Sequence, residues 1–178
     1  QSNKARILGD HIAATHPRVR WWCPQLPPSP RAAMALIAEG IASWPRQTMA
    51  VVGSSLGGYY ASWVAQLARC KSVMINPAVN PARDLERHIG EQSNWHDPED
   101  VFFFRPEYID ELRLLDTRSL TAAAPEMVLI AQGDEVLDWQ EMSDRYPHAL
   151  QLLQEGGDHA LSNFPEYLDR IDEFLALA

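Results

Sequence analysis

Apolar residues along the chain fall into two alternating rhythms. Between Asn3 and Thr15, Ile7, Leu8 and Ile12 recur at helical spacing with charges between them, and His16-Pro17 closes the run. Val19–Cys23 (VRWWC) predicts a short strand, and PQLPPSP at 24–30 an extended loop, because proline supplies no ladder donor. An Ala-rich helix over 31–43, a strand over 48–52, a helix over 56–68 and a strand over 72–75 follow, then the loop NPAVNP at 76–81. The rhythm breaks over 82–125: a helix at 82–88, a polar loop at 90–100, three phenylalanines at 102–104 and a helix at 106–113. It resumes with a strand at 128–131, a helix at 139–146, a strand at 149–153 and an amphipathic helix over 164–176. Strands separated by helices predict βαβ units and a mostly parallel sheet with helices on both faces, an α/β fold. No repeat, low-complexity tract or linker divides the chain, so one domain over 1–178 is expected.

Length agrees, since 178 residues suit a single core. The net charge of −9 repels phosphate backbones and argues against nucleic-acid binding. Cys23 and Cys70 show neither metal spacing nor a CxxC pair, which suits reduced thiols. No apolar run reaches membrane-spanning length and no signal-peptide pattern is present, so a cytoplasmic protein is expected. The first residue is not Met and the chain starts in helical rhythm, so an N-terminal segment is expected to be missing.

Candidate chemistry enters at VVGSSLGGYYASW, residues 51–63. Gly53-Ser54-Ser55-Leu56-Gly57 matches G-x-S-x-G between a predicted strand and a predicted helix. A chain that must pass from strand to helix at once strains the central residue and lifts its side chain above the sheet edge. Glycines two residues either side let neighbouring segments approach. Ser55 is the candidate nucleophile, and Ser54 points elsewhere. The Leu56 backbone N–H, at the start of the helix, is the candidate oxyanion donor. A phosphate loop would need a Lys-Ser/Thr pair, which is absent.

A serine needs a base, and the base an orienting carboxylate. After the strand at 128–131 comes QGDEVLD, in which Asp134 lies nearest the strand. Glu135 and Asp138 compete for the role, although Asp138 could simply cap the next helix. After the last strand comes EGGDHAL, which places His159 behind a glycine turn. His11, His16, His88, His96 and His148 read as ordinary surface or core residues, and HDPED at 96–100 as a solvated loop rather than a metal site.

The stretches PQLPPSP, VVGSSLGGYYASW, VMINPAVNP, QGDEVLD and EGGDHAL, taken in order, resemble the α/β-hydrolase superfamily, and within it the small YqiA-type esterases. The resemblance implies an ester or thioester hydrolase with Ser55 as nucleophile, Asp134 as acid and His159 as base. It implies no metal and no organic cofactor; a small-molecule substrate and a monomer or homodimer are expected. It also implies a first strand and a His-Gly-Phe type loop, with a second oxyanion donor, ahead of Gln1. That strand is expected to be missing from this chain. Residues 82–113 are expected to form a lid, with Phe102, Phe104 and Tyr108, joined by Tyr59, lining an acyl groove over Ser55. The competing expectation is that the phenylalanines fill the core. A non-catalytic binding module on the same fold, or acyl transfer to an acceptor other than water, are the alternatives.

Overall fold

The computed structural model describes residues 2–94 and 97–177, with side chains throughout except at 92–94 and 97–102. Its centre is a parallel sheet in the order β1-β2-β5-β6, formed by β1 (Ala50–Ser54), β2 (Lys71–Ile75), β5 (Glu126–Ala131) and β6 (Leu150–Gln154). The register is continuous, with Val52 opposite Val73, Val73 opposite Met127 and Met127 opposite Leu150.

Each central strand is apolar on both faces, as a sheet covered by helices on two sides requires. Val73, Ile75, Met127, Leu129 and Ala131 point to one face, where they meet Leu8 and Ile12 of α1 (Asn3–Thr15) and Ile171 of α7 (Leu168–Leu175). Met74, Val128 and Ile130 point to the other, against Ala61 of α3 (Leu56–Ala68) and Met142 of α6 (Trp139–Arg145). The period of two along each strand therefore feeds two cores at once. Full burial of a side chain such as Leu129 contributes about 2 kcal/mol.

Helix starts follow their caps. Ser2 accepts from Ala5 N–H ahead of α1, and Ser29 accepts from Ala32 N–H ahead of α2 (Pro30–Gly40), with proline in the first turn.

Two expected elements differ. Residues 19–23 join neither sheet and are not a strand, because a ladder also needs an adjacent strand in register. Tryptophan packing holds the segment instead: Trp21 lies against Gly9, and Trp22 against Gly40 and Trp44. The polar loop expected at 90–100 is an antiparallel hairpin, β3 (Gly90–Asn94) with β4 (Asp97–Phe104), and His96 lies outside the described residues. Backbone pairing makes this ribbon, so its sequence carries no apolar alternation to betray it.

The hairpin stands between α4 (Pro81–Leu85), continued by a 3-10 turn over Glu86–His88, and α5 (Pro106–Leu114). Ile109 and Leu112 of α5 bury against Met34, Tyr60 and Val64 of α2 and α3, which roots the excursion in the core. Among the described residues no helix is long and apolar enough to cross a membrane.

Candidate active site

The carboxyl ends of β1, β5 and β6 converge on one edge of the sheet, where open α/β sheets place their sites. Ser55 alone joins β1 to α3 and adopts φ 55°, ψ −124°. A non-glycine residue there costs about 1–3 kcal/mol and persists only when its surroundings over-determine it. They do so here. The Ser55 N–H donates to Ile75 C=O at 2.9 Å, while its own C=O accepts from Gly58 N–H at 2.9 Å and Ala78 N–H at 3.0 Å.

The flanking glycines are not equivalent. A Cβ on Gly53 would lie 2.0 Å from the Gly57 carbonyl oxygen, so a side chain there would displace the turn. A Cβ on Gly57 would meet nothing within 4 Å. Close approach therefore explains Gly53 but not Gly57, which corrects the symmetrical expectation. Gly58 is the second tight position, against Pro77.

His159 Nε2 lies 3.0 Å from Ser55 Oγ, and its Nδ1 lies 2.7 Å from Asp134 Oδ2. The other Asp134 oxygen accepts from the N–H groups of Val136 and Leu137, both at 2.8 Å, and the carboxylate has 0% exposure. Burial alone would raise the Asp134 carboxyl. The His159 bond and the two backbone N–H groups outweigh it and hold the carboxyl below its usual value. An ionised Asp134 can accept a hydrogen bond from His159 Nδ1–H, and in that tautomer Nε2 is free to accept from Ser55 Oγ–H.

The two competing acids are occupied elsewhere. Glu135 Oε2 accepts from the His159 backbone N–H at 3.0 Å, and Asp138 is the N-cap of α6, accepting from Gln140 N–H at 2.8 Å. The turns carrying Asp134 and His159 touch backbone to backbone. A Cβ on Gly133 would lie 2.5 Å from the Gly157 carbonyl oxygen.

Asn76, which the sequence pattern left inside a loop, ties these turns to the sheet. It is fully buried and left-handed at φ 40°. Its Oδ1 accepts from Ala131 N–H at 2.8 Å, and its Nδ2 donates to the carbonyls of Asp158 at 3.1 Å and His159 at 3.0 Å. The available signal was Asn directly after a strand, a residue suited to left-handed backbone. From α1, Lys4 Nζ donates to the Ala160 carbonyl.

A cavity of about 200 Å³ opens beside Ser55 and Leu56. Arg83, Leu85, Arg87 and His88 line it from one side, and Val136 and Leu137 from the other. Arg83 spans the rim as a two-pronged bridge to Glu141, at 2.8 and 2.9 Å. None of these residues stood out by spacing. Of the expected groove residues, Tyr59 is buried in the core and donates its hydroxyl to Leu112 C=O at 2.7 Å. Phe104 is buried in the same cluster, edge-on to a half-buried Tyr108 at 5.4 Å. Phe103 is exposed. The Phe102 side chain lies outside the described residues. The structure thus places Tyr59 and Phe104 in the core rather than on the cavity, because the apolar face of α5, Ile109 and Leu112, packs in the same cluster.

A family model described as "Uncharacterised protein family (UPF0227)" matches residues 1–176. "UPF0227 protein YcfP" of Escherichia coli O9:H4 (strain HS) is 25% identical over 130 residues, covering 71% of this chain and 64% of the relative. "UPF0227 protein Shewmr7_1806" of Shewanella sp. (strain MR-7) is 27% identical over 128 residues, covering 70% and 63%. The matched region thus spans under two thirds of the relatives' length. Among solved structures, one from the work on LipS and LipT, two metagenome-derived lipolytic enzymes, is similar at TM-score 0.70 and 15% identity, covering 97% of this chain and 87% of that one. Alpha/beta hydrolase domain-containing protein 10 from mouse is similar at TM-score 0.65 and 16% identity, covering 97% and 83%. These likenesses establish the α/β-hydrolase fold.

Proposed function

The chain belongs to the UPF0227 family, and we propose that it is a serine hydrolase that cleaves a small carboxylic ester or thioester through an acyl-enzyme. The observation that carries this reading is the hydrogen-bonded line from Ser55 Oγ through His159 to a buried Asp134. It begins at a residue held in a strained turn. Substrate enters with its carbonyl carbon over Ser55. As Oγ attacks, His159 Nε2 takes its proton, and Asp134 stabilises the imidazolium and holds the ring. The developing oxyanion lies at the start of α3, where the Leu56 N–H has no carbonyl of its own helix to serve; such a donor is worth roughly 100- to 1000-fold in rate. His159 returns the proton to the leaving alcohol or thiol. It then activates water, which releases the acid and regenerates Ser55.

Residues 82–113 act as a small lid on a single domain. The support is that Arg83, Leu85, Arg87 and His88 line the cavity, so substrate choice lies with them and with Val136. Hydrolysis is favoured over binding alone because a binding module has no use for an oriented base or a strained serine.

A fluorophosphonate probe tests the proposal. The wild-type chain and Ser54→Ala should label, and Ser55→Ala should not. Ser55→Ala should also lose turnover of activated esters and acyl thioesters by several orders of magnitude. An unlabelled wild-type chain, or labelling that follows Ser54, would refute the assignment.

A further inference from the structure

On the helical layer beneath the sheet, far in sequence from Ser55, three side chains converge. His11 Nε2 lies 2.7 Å and His16 Nε2 2.9 Å from the same oxygen, Oδ2 of Asp172. His11 is on α1, His16 is its C-cap residue, and Asp172 is on α7. At His16 the chain leaves helical geometry, with φ −127° and ψ 63°, and the two imidazoles stand edge to face with centroids 6.0 Å apart. All three side chains are largely shielded, at 16%, 13% and 18% exposure.

We propose that His11, His16 and Asp172 form a binding site for a divalent transition-metal ion, zinc by its donor chemistry, that clamps α1 to α7. Two observations favour this over a simple hydrogen-bonded staple. An ionised carboxylate has two oxygens, each able to accept more than one donor. Here both imidazoles crowd onto Oδ2, while Oδ1 is buried and has no hydrogen-bond partner among the described residues. A staple would spread its donors over both oxygens; a metal site needs its donors aimed at one point.

The distances also suit an ion. The three donor atoms lie within 4.8 Å of one another. Zinc bonds of about 2.0–2.1 Å in tetrahedral geometry put neighbouring ligand atoms about 3.3 Å apart, so the two close contacts need open by only roughly half an ångström. Each imidazole would present its Nε2 lone pair and keep its proton on Nδ1. Two nitrogens and a carboxylate oxygen form a borderline donor set, and water would complete four-coordination. The ion takes no part in the Ser55 chemistry. It would close a loop between residues 161 positions apart, and the helix it fixes also reaches Ala160, next to His159, through Lys4.

Calorimetric titration of the dialysed full chain with Zn²⁺ should show one equivalent bound, with a rise in unfolding temperature as zinc is added. Co²⁺ in its place should give the visible absorption of a tetrahedral site. Asp172→Asn, which keeps the shape, and His16→Gln, which keeps a hydrogen-bond donor, should each weaken zinc by at least about tenfold. Both should abolish the thermal shift. The exposed His148→Ala should bind like the wild type. Failure to bind one equivalent would overturn the site, as would zinc affinity unchanged in both Asp172→Asn and His16→Gln. Zinc binding lost in His159→Ala but kept in those two variants would place the ion at Ser55 and overturn it equally.

Discussion

Replacing Asn76 by alanine should damage both stability and chemistry, although Asn76 does not line the cavity. The variant strands three groups at once: the Ala131 N–H and the carbonyls of Asp158 and His159. At about 1 kcal/mol of net stability per hydrogen bond, the loss is about 3 kcal/mol, with about 1 more for alanine at a left-handed backbone position. For a domain of this size each kcal/mol lowers the unfolding midpoint by about 2–4 °C, so the drop should be about 8–16 °C. Total stabilities run to about 5–15 kcal/mol, so the variant should still fold at room temperature. His159 keeps its bonds to Asp134 and Glu135 but loses the anchor on its own carbonyl. A displacement near 1 Å would lower the labelling rate by about 100-fold. Thermal unfolding followed by circular dichroism and the fluorophosphonate labelling rate measure the two effects separately. Asn76→Asp sharpens the test. It keeps an acceptor for Ala131 but turns a second oxygen toward two carbonyls, which raises its folded pKa above the usual value of about 3.9. Its destabilisation should therefore be full at neutral pH and should shrink as pH falls through that raised pKa. An Asn76→Ala chain within 1 °C of wild type, labelled at the same rate, would refute the account of how the His159 turn is held.

Other expectations are independent. Gly53→Ala should lose about 1–3 kcal/mol or more in urea unfolding, because its Cβ meets the Gly57 carbonyl, whereas Gly57→Ala should gain up to about 1 kcal/mol from helix propensity; equal effects would refute the asymmetry. The Asp134 carboxyl, followed by carbon NMR, should titrate below the ordinary value of about 3.9. Because its folded pKa is depressed, its contribution to stability is full above the unfolded pKa and is lost as pH falls through the folded one; a midpoint at or above the ordinary value would contradict the bonding described. Tyr59→Phe should cost about 1 kcal/mol through its lost bond to Leu112 and leave acyl chain preference unchanged; a shifted preference would return Tyr59 to the substrate path.

Legibility in the sequence followed the reach of the forces involved. The order of helices and strands was readable because local periodicity and caps specify it, and the Ser55 turn because one short segment contains its own geometry. Asp134 stood ahead of its rivals by position alone, but only three-dimensional contacts show Glu135 and Asp138 engaged elsewhere. Residues 19–23 carry strand-forming side chains, yet pairing depends on a neighbour that the segment itself cannot announce. The hairpin of β3 and β4 is made by main-chain bonds, which leave no mark in side-chain pattern. The core roles of Tyr59 and Phe104 depend on where α5 docks, and the meeting of His11, His16 and Asp172 on contacts across most of the chain.

The turn at Ser55 also bears on how this sequence could drift. Its backbone angles suit glycine, so a serine here carries a standing cost, which the proposed mechanism would offset through its hydroxyl. A duplicated copy freed from chemistry would gain stability by a change to glycine at this one codon, and the reverse change would then meet an energetic slope. Loss of the serine in such a lineage would act as a ratchet. Copies that retain serine here, at a position where folding alone favours its removal, would be those under continuing selection for the hydroxyl.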